Sequence, residues 1–258
     1  MRRAAVIVLL VLISVAGYFL LAGILNTREA AARMKCVSNL KGIALSLHNY
    51  ASTNTYLPHA TLPNAGLAPE ERLSWLVTIV PYVESDNLHS RMNLEKGWEA
   101  EENHFAALLK VRYLVCPDFP HRRPTSTVVT HYLGVAGLGP DAAMLPLDHP
   151  RAGFFGHERK LKLENIASGM STLMAATETT HQNGCWTAGG FPTVRGLDDD
   201  GLPLLGRDGQ FGGLHRIGAN VVFADGSVRF WRDSLDHKII KAMACIRGRE
   251  DVGPIGDE

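Results

Sequence analysis

Residues 4–50 read AAVIVLLVLISVAGYFLLAGILNTREAAARMKCVSNLKGIALSLHNY. The first part, Ala4 to Leu25, is 22 residues without a charge. At about 1.5 Å per residue, a helix of that length spans roughly 30 Å, the hydrocarbon thickness of a bilayer. Arg2 and Arg3 precede it, and the positive-inside rule keeps them in the cytoplasm while the C-terminal bulk goes out. A cleaved secretory signal is the rival reading. Such signals have an apolar core of about 7–15 residues and small residues at the cleavage site. Here the run is longer, Leu21-Ala22-Gly23-Ile24 is a poor site, and no Cys offers a lipid attachment point. A buried core helix is a third reading, but the length of the run at a terminus favours an anchor over residues 1–25.

The helix is expected to continue past the membrane. From Thr27 to Tyr50 there is no Pro, and Gly42 is the only Gly. Apolar residues recur at Ala30, Met34, Val37, Leu40, Ile43, Ala44 and Leu47, a spacing of three to four. Arg28, Glu29, Arg33, Lys35, Asn39, Lys41 and Ser46 fall largely between them. This predicts one helix of up to about 45 residues, its first half in lipid and its second half amphipathic. Residues 26–52 form the amphipathic continuation and residues 53–258 an extracytoplasmic globular domain.

The remaining chain suffices for one domain with a real core. Lys and Arg total 26, Asp and Glu total 26, and no long basic block occurs. That argues against a nucleic-acid partner, which would need a basic footprint. Leu73 to Tyr82 is apolar and β-rich, but Pro81 leaves its type open. Trp98 to Lys110 reads as a helix, Tyr113 to Val115 as a short buried strand, and residues 117–127 and 136–152 as loops. Leu173 to Thr177 and the short stretch at Thr187 read as strands. The clearest element is a hairpin, Ala219–Phe223 and Ser227–Trp231, joined at Ala224-Asp225-Gly226, because Asp-Gly is a strong tight-turn signal. Leu235 to Cys245 has helical spacing. Helix first and strands later, without βαβ alternation, gives an α+β fold: a long N-terminal helix packed on a mainly antiparallel sheet.

The run Arg28 to Tyr50 resembles a large bacterial family of pilin-like proteins. They are often described as similar to the G-type pseudopilin of type II secretion, and their main domain is designated only as one of unknown function. The likeness continues through Ser74-Trp75-Leu76, Pro81-Tyr82-Val83-Glu84, Leu114-Val115-Cys116-Pro117, Ser168-Gly169-Met170-Ser171-Thr172 and Trp186-Thr187-Ala188-Gly189-Gly190. It ends with His215, nine residues, then Asp225-Gly226-Ser227-Val228-Arg229-Phe230, a His-x9-Asp-Gly hallmark. The resemblance implies a pilin-like fold and a structural or interaction role, with other pilin-like or secretion subunits as partners. One departure bears on processing. The family usually opens with a prepilin peptidase signal and an early Glu, whereas no acidic residue lies between Met1 and Leu25. The chain therefore resembles a pilin-like domain on an uncleaved anchor.

Several groups are candidates for chemistry. His215 and Asp225 could form a metal or acid–base pair. The structural alternative has Asp225 capping its own turn, with His215 beside it across the hairpin's base. Glu178-Thr179-Thr180-His181 has helical metal-binding spacing, but the run before it reads as strand. Asp198, Asp199, Asp200 and Asp208 make an oxygen-rich region. Calcium is a candidate there, and the resemblance to G-type pseudopilins implies a C-terminal calcium site, yet no EF-hand is completed. Cys36, Cys116, Cys185 and Cys245 contain no Cys-x-x-Cys pair, which argues against zinc. Two disulfides fit an exported domain, Cys36–Cys116 and Cys185–Cys245 being the favoured pairs, with buried free thiols the alternative. His48, His59, His89 and His131 read as ordinary surface or core residues.

No nucleophile elbow, P-loop or dinucleotide fingerprint occurs. The leading expectation is a non-enzymatic, membrane-anchored structural or interaction protein without a cofactor. The rival is an envelope metal-dependent hydrolase using His215, Asp225, Glu178 and His181. A ligand-binding sensor is a weaker third reading, since the expected cytoplasmic tail is so short.

Overall fold

A helix satisfies its own backbone, so a lipid-type segment and an amphipathic one can follow each other without a break. In the computed structural model, which describes residues 2–83, 87–117, 119, 127–166, 169–198 and 202–248, they do so. Helix α1 runs from Arg2 to Asn54, 53 residues, longer than the sequence reading allowed. Its first half is long and apolar enough to cross a membrane. The second half buries Ala32, Cys36, Asn39, Leu40, Ile43, Ala44 and Leu47.

This stripe differs from the expected one. Met34 is 65% exposed, while the polar Asn39 and Ser46 face inward. Met34 lies two residues from Cys36, about 200° around the helix, so the two cannot share a face.

The sheet receiving this stripe has five strands: β1 (Tyr132–Leu138), β2 (Met174–Glu178), β3 (Val194–Leu197), β4 (Gly218–Phe223) and β5 (Val228–Arg232), in the order β3-β1-β2-β4-β5. Only β1 and β3 pair in parallel; the other neighbours are antiparallel. Alternation along the strands sorts two cores. Tyr132, Ala136, Ala176 and Val222 join Leu40, Ile43 and Leu47 on the spine side, with Trp75, Phe155 and Trp186 around them. Leu133, Val135, Val221 and Phe223 point the other way, where Ile240 and Met243 of helix α4 (His237–Met243) cover them.

The irregular parts depart most from expectation. Residues 136–138 belong to β1, not to a loop. Gly134 and Gly137 disguise this strand. A Cβ at Gly134 would lie 2.6 Å from the Phe155 ring, which itself sits 4.5 Å from the Trp75 ring. Strand β3 had no expectation at all. Tyr113–Val115 is not a strand: Arg112–Leu114 forms one 3-10 turn, which His131 N–H, just before β1, joins at Leu114 O. Thr187 lies between two isolated bridges, Val129–Cys185 and Leu73–Ala188, and not in a strand. Leu73–Tyr82 resolves into helix α2 (Trp75–Ile79) and a 3-10 turn, Val80–Tyr82, where Pro81 sits in a first turn that needs no N–H. Helix α3 is shorter than expected, Glu101–Ala107. Within the expected 117–127 loop, residues 118 and 120–126 lie outside the described residues, as do Glu84, Ser168 and 249–258.

Arg159 holds the segment around residues 142–155 to β1. Its buried guanidinium donates to the carbonyls of Ala142 (2.8 Å), Leu145 (2.7 Å), Ala136 (3.0 Å), Gly153 (3.3 Å) and Phe155. Burial pushes its pKa down to about 10, which leaves it charged at neutral pH. Arg159→Met should cost at least about 3 kcal/mol, because several buried carbonyls lose their donor at once. Lysine should recover little of this, having three donors on a point charge instead of a planar fork. Chemical denaturation of the three proteins checks both statements. Nearby, burial and then the Arg72 charge push His157 down to about 4. The unfolded chain takes up its proton near the ordinary imidazole value, about 6.5. Stability from this group is therefore complete above about pH 6.5 and is lost as pH falls towards 4. His157→Gln should flatten the fall in unfolding free energy between pH 7 and pH 4.5.

Candidate functional site

Next after Ala32 among the inward positions of α1 come Cys36 and Asn39, and they meet a polar cluster, not a greasy one. Cys116 follows the 3-10 turn at Arg112–Leu114 and is fixed by its own N–H, which donates to His131 Nδ1 at 3.0 Å. Its sulfur lies 3.0 Å from Cys36 Sγ. Asn39 Nδ2 donates to Tyr132 Oη on β1 at 3.0 Å. Glu178, the last residue of β2, is fully buried. Its carboxylate accepts from the Asn220 backbone N–H (2.8 Å) and from Asn220 Nδ2 (2.9 Å). Oε1 also lies 3.5 Å from His215 Nε2. His215 sits just before β4, in a bridge to Gly218, and its ring faces Phe230 on β5 at 6.4 Å.

Electrostatics bind these groups together. Burial alone would lower the His215 pKa, but the Glu178 carboxylate outweighs it and lifts the imidazole above its ordinary value. The hydrogen bond to Cys116, burial and the Glu178 charge hold the Cys36 thiol far up, so it stays protonated. Burial raises Tyr132 as well. Among the described residues, His215 Nδ1 and Asn220 Oδ1 have no hydrogen-bond partner. A shallow hollow of about 180 Å³ reaches His215 at the neck, lined by Asn26, Glu29, Ala30, Arg33, Ile217 and Phe230.

Residues 26–238 match the family described as protein of unknown function (DUF1559). The chain belongs to this family. No curated protein and no solved structure matches it. The match takes in the amphipathic half of α1, the whole sheet and every residue of the buried cluster in this DUF1559 chain.

The expected pairings are partly rearranged. His215 and Asp225 do not sit side by side, because β4 runs between them, roughly 20 Å of strand at ~3.3 Å per residue. His215 faces Glu178 instead. Asp225 Oδ1 accepts from Ser227 N–H at 2.8 Å, an Asx-type cap on the hairpin turn. Gly226 there has φ +85°, the left-handed region that favours glycine. His181 takes no part: its carbonyl accepts from Arg195, at the end of a strand and not on a helix. Asp199 and Asp200 lie outside the described residues; Asp198 is held through its backbone by Gln210, and Asp208 is exposed. Cys185 and Cys245 are not bonded. Cys185 contacts Thr187 Oγ1 at 3.1 Å beside α3, whereas Cys245 follows α4, and burial raises it to about 11. His48 Nε2 donates to Ala224 O at 2.9 Å.

Sequence reading missed Asn39, Tyr132 and Asn220 as site residues. Asn39 had a usable signal, a polar residue three positions after Cys36 and one before Leu40 on an inward face. Tyr132 and Asn220 had none. Glu178→Gln should cost roughly 3 kcal/mol by placing a donor against the Asn220 donors. Asp225→Ala should cost only about 1 kcal/mol, the loss of one exposed cap. Urea unfolding of the two variants checks this ranking.

Proposed function

We propose that this DUF1559 chain is a membrane-anchored structural or interaction protein, resembling a pseudopilin, with its head outside the cytoplasm. One observation carries the reading. The large apolar side chains described from Val6 to Leu25 stand 47–70% exposed, while the same unbroken helix is embedded in the head further on. Water is a poor environment for such a surface, whereas lipid tails or neighbouring apolar helices would cover it. Gly17 and Gly23 have open space beside them, which allows close approach of another helix. Arg2 and Arg3 favour retention of that end in the cytoplasm. No acidic residue lies between Met1 and Leu25, so the segment can sit in lipid without a buried charge seeking a partner. This favours an uncleaved anchor displaying the head to pilin-like subunits, secretion components or envelope polymers.

The full chain, expressed in a bacterium, should stay in the membrane pellet through an alkaline wash. Protease added to spheroplasts should digest the head. The intact mass should equal the whole chain, apart from Met1 processing. Release from the membrane with loss of more than about 20 residues would mean a cleaved signal, and the anchor reading would fall. Loss of a short N-terminal piece with an added methyl would place the chain among processed pilin-like subunits.

A further inference from the structure

Cys36, Cys116 and His215 come from three distant segments, yet one ligand-type atom from each lies within 4.8 Å of the other two. All three residues are buried. We propose that they bind one thiophilic divalent cation, with zinc the expected occupant, and that this ion fastens the spine helix to the head.

The donor set fits the ion. Zinc takes thiolate sulfur and imidazole nitrogen at about 2.0–2.3 Å, which puts its ligands roughly 3–4 Å apart. The rival use of the two sulfurs is a disulfide. That bond would leave His215 as it stands, buried to 2% exposure, with Nε2 facing Glu178 and Nδ1 without a hydrogen bond among the described residues. A metal ion instead gives Nδ1 a partner. Glu178, 3.5 Å from Nε2, is the positioning residue: its carboxylate favours the proton on Nε2 and leaves the Nδ1 lone pair for the ion. Loading a divalent cation releases one proton from each thiol and forms two metal–sulfur bonds, with no change of oxidation state. The two thiolate charges balance the ion, so a neutral unit replaces two buried thiols. Zinc's fourth position would fall to a water, and of the three ligands His215 borders the neck hollow.

The spacing explains why no motif announces the site. Cys36 and Cys116 stand 80 residues apart, and the ligands meet only once α1 lies on the sheet. All three ligands lie beyond residue 25, so cleavage of the anchor would leave them in place.

The test uses the full chain purified in detergent without reductant, equilibrated with zinc chloride and dialysed. Metal analysis should find about one zinc per chain. Cys36 and Cys116 should resist alkylation until a chelator is added. Cobalt in place of zinc should give a thiolate charge-transfer band. His215→Ala should lower bound zinc by roughly tenfold or more, and Cys245→Ser should leave it unchanged. A Cys36–Cys116 disulfide without metal would overturn the proposal. So would two freely alkylated thiols without metal, or zinc retained in a chain carrying both Cys36→Ser and Cys116→Ser. Metal content and thiol state of the unaltered chain decide the matter even where a variant fails to fold.

Discussion

The contact between the second half of α1 and the sheet governs everything else in the molecule. Leu40, Ile43 and Leu47 are removed from water there, each contributing about 2 kcal/mol by burial. The sheet cannot close its spine face in any other way, since Tyr132, Ala136 and Val222 point into that contact. Its opposite face is served separately by α4. The apolar half of α1 receives nothing from the head. Its backbone is satisfied internally, and its side chains are matched to an environment the head does not provide. One helix thus obeys two solvents along its length, and the neck is where the rules change.

Polar groups in the middle of that contact are costly, and their cost has a consequence. An apolar stripe alone fits nearly as well after a slip of one helical turn, about 5.4 Å. Asn39 cannot slip, because its amide is committed to Tyr132 Oη. Cys36 is likewise opposite Cys116, and Glu178 is fixed by two donors of Asn220. A slipped helix would leave these groups dry and unpaired, at about 1–3 kcal/mol each. The cluster therefore sets the register that the hydrophobic stripe leaves loose. Arg159 does comparable work on the same side of the sheet, gathering carbonyls from β1 and from the segment that follows it.

How much of this was legible follows from what kind of signal each feature leaves. The spine and the β4–β5 hairpin were legible because their periods and their Asp-Gly turn are local properties. The α+β class and the mostly antiparallel sheet came with them. Strand β1 was lost, its first half unassigned and its end read as loop, because Gly134, needed for the close approach of Phe155, looks like a loop residue. Strand β3 was lost because four residues containing a buried Arg195 and a Gly carry no alternation. In the site, Cys36 and Cys116 were brought together because one lies on the spine helix and the other at the end of a short apolar run expected to join the sheet. The meeting of Glu178 with His215 was not foreseeable, since β2 and the chain before β4 come together only through sheet pairing.

The spacing between His215 and Asp225 then has a reading as a length. At one end of β4, Arg216 N–H donates to Glu29 (3.3 Å) and Arg33 stacks on Phe230 (4.9 Å), so the strand starts beside the neck of α1. At the other end, the turn capped by Asp225 presents Ala224 O to His48. Arg33 and His48 are separated by about 22 Å of helix at ~1.5 Å per residue. Six strand residues cover a nearly equal distance at ~3.3 Å each. A residue added between His215 and Asp225 would move one fixed end relative to a helix that cannot stretch, and would turn Val221 and Val222 to the wrong faces. The nine intervening residues are thus the stretch of strand needed to tie both ends of β4 to a single helix, with Gly226 supplying the φ that lets the turn fold against Ala44.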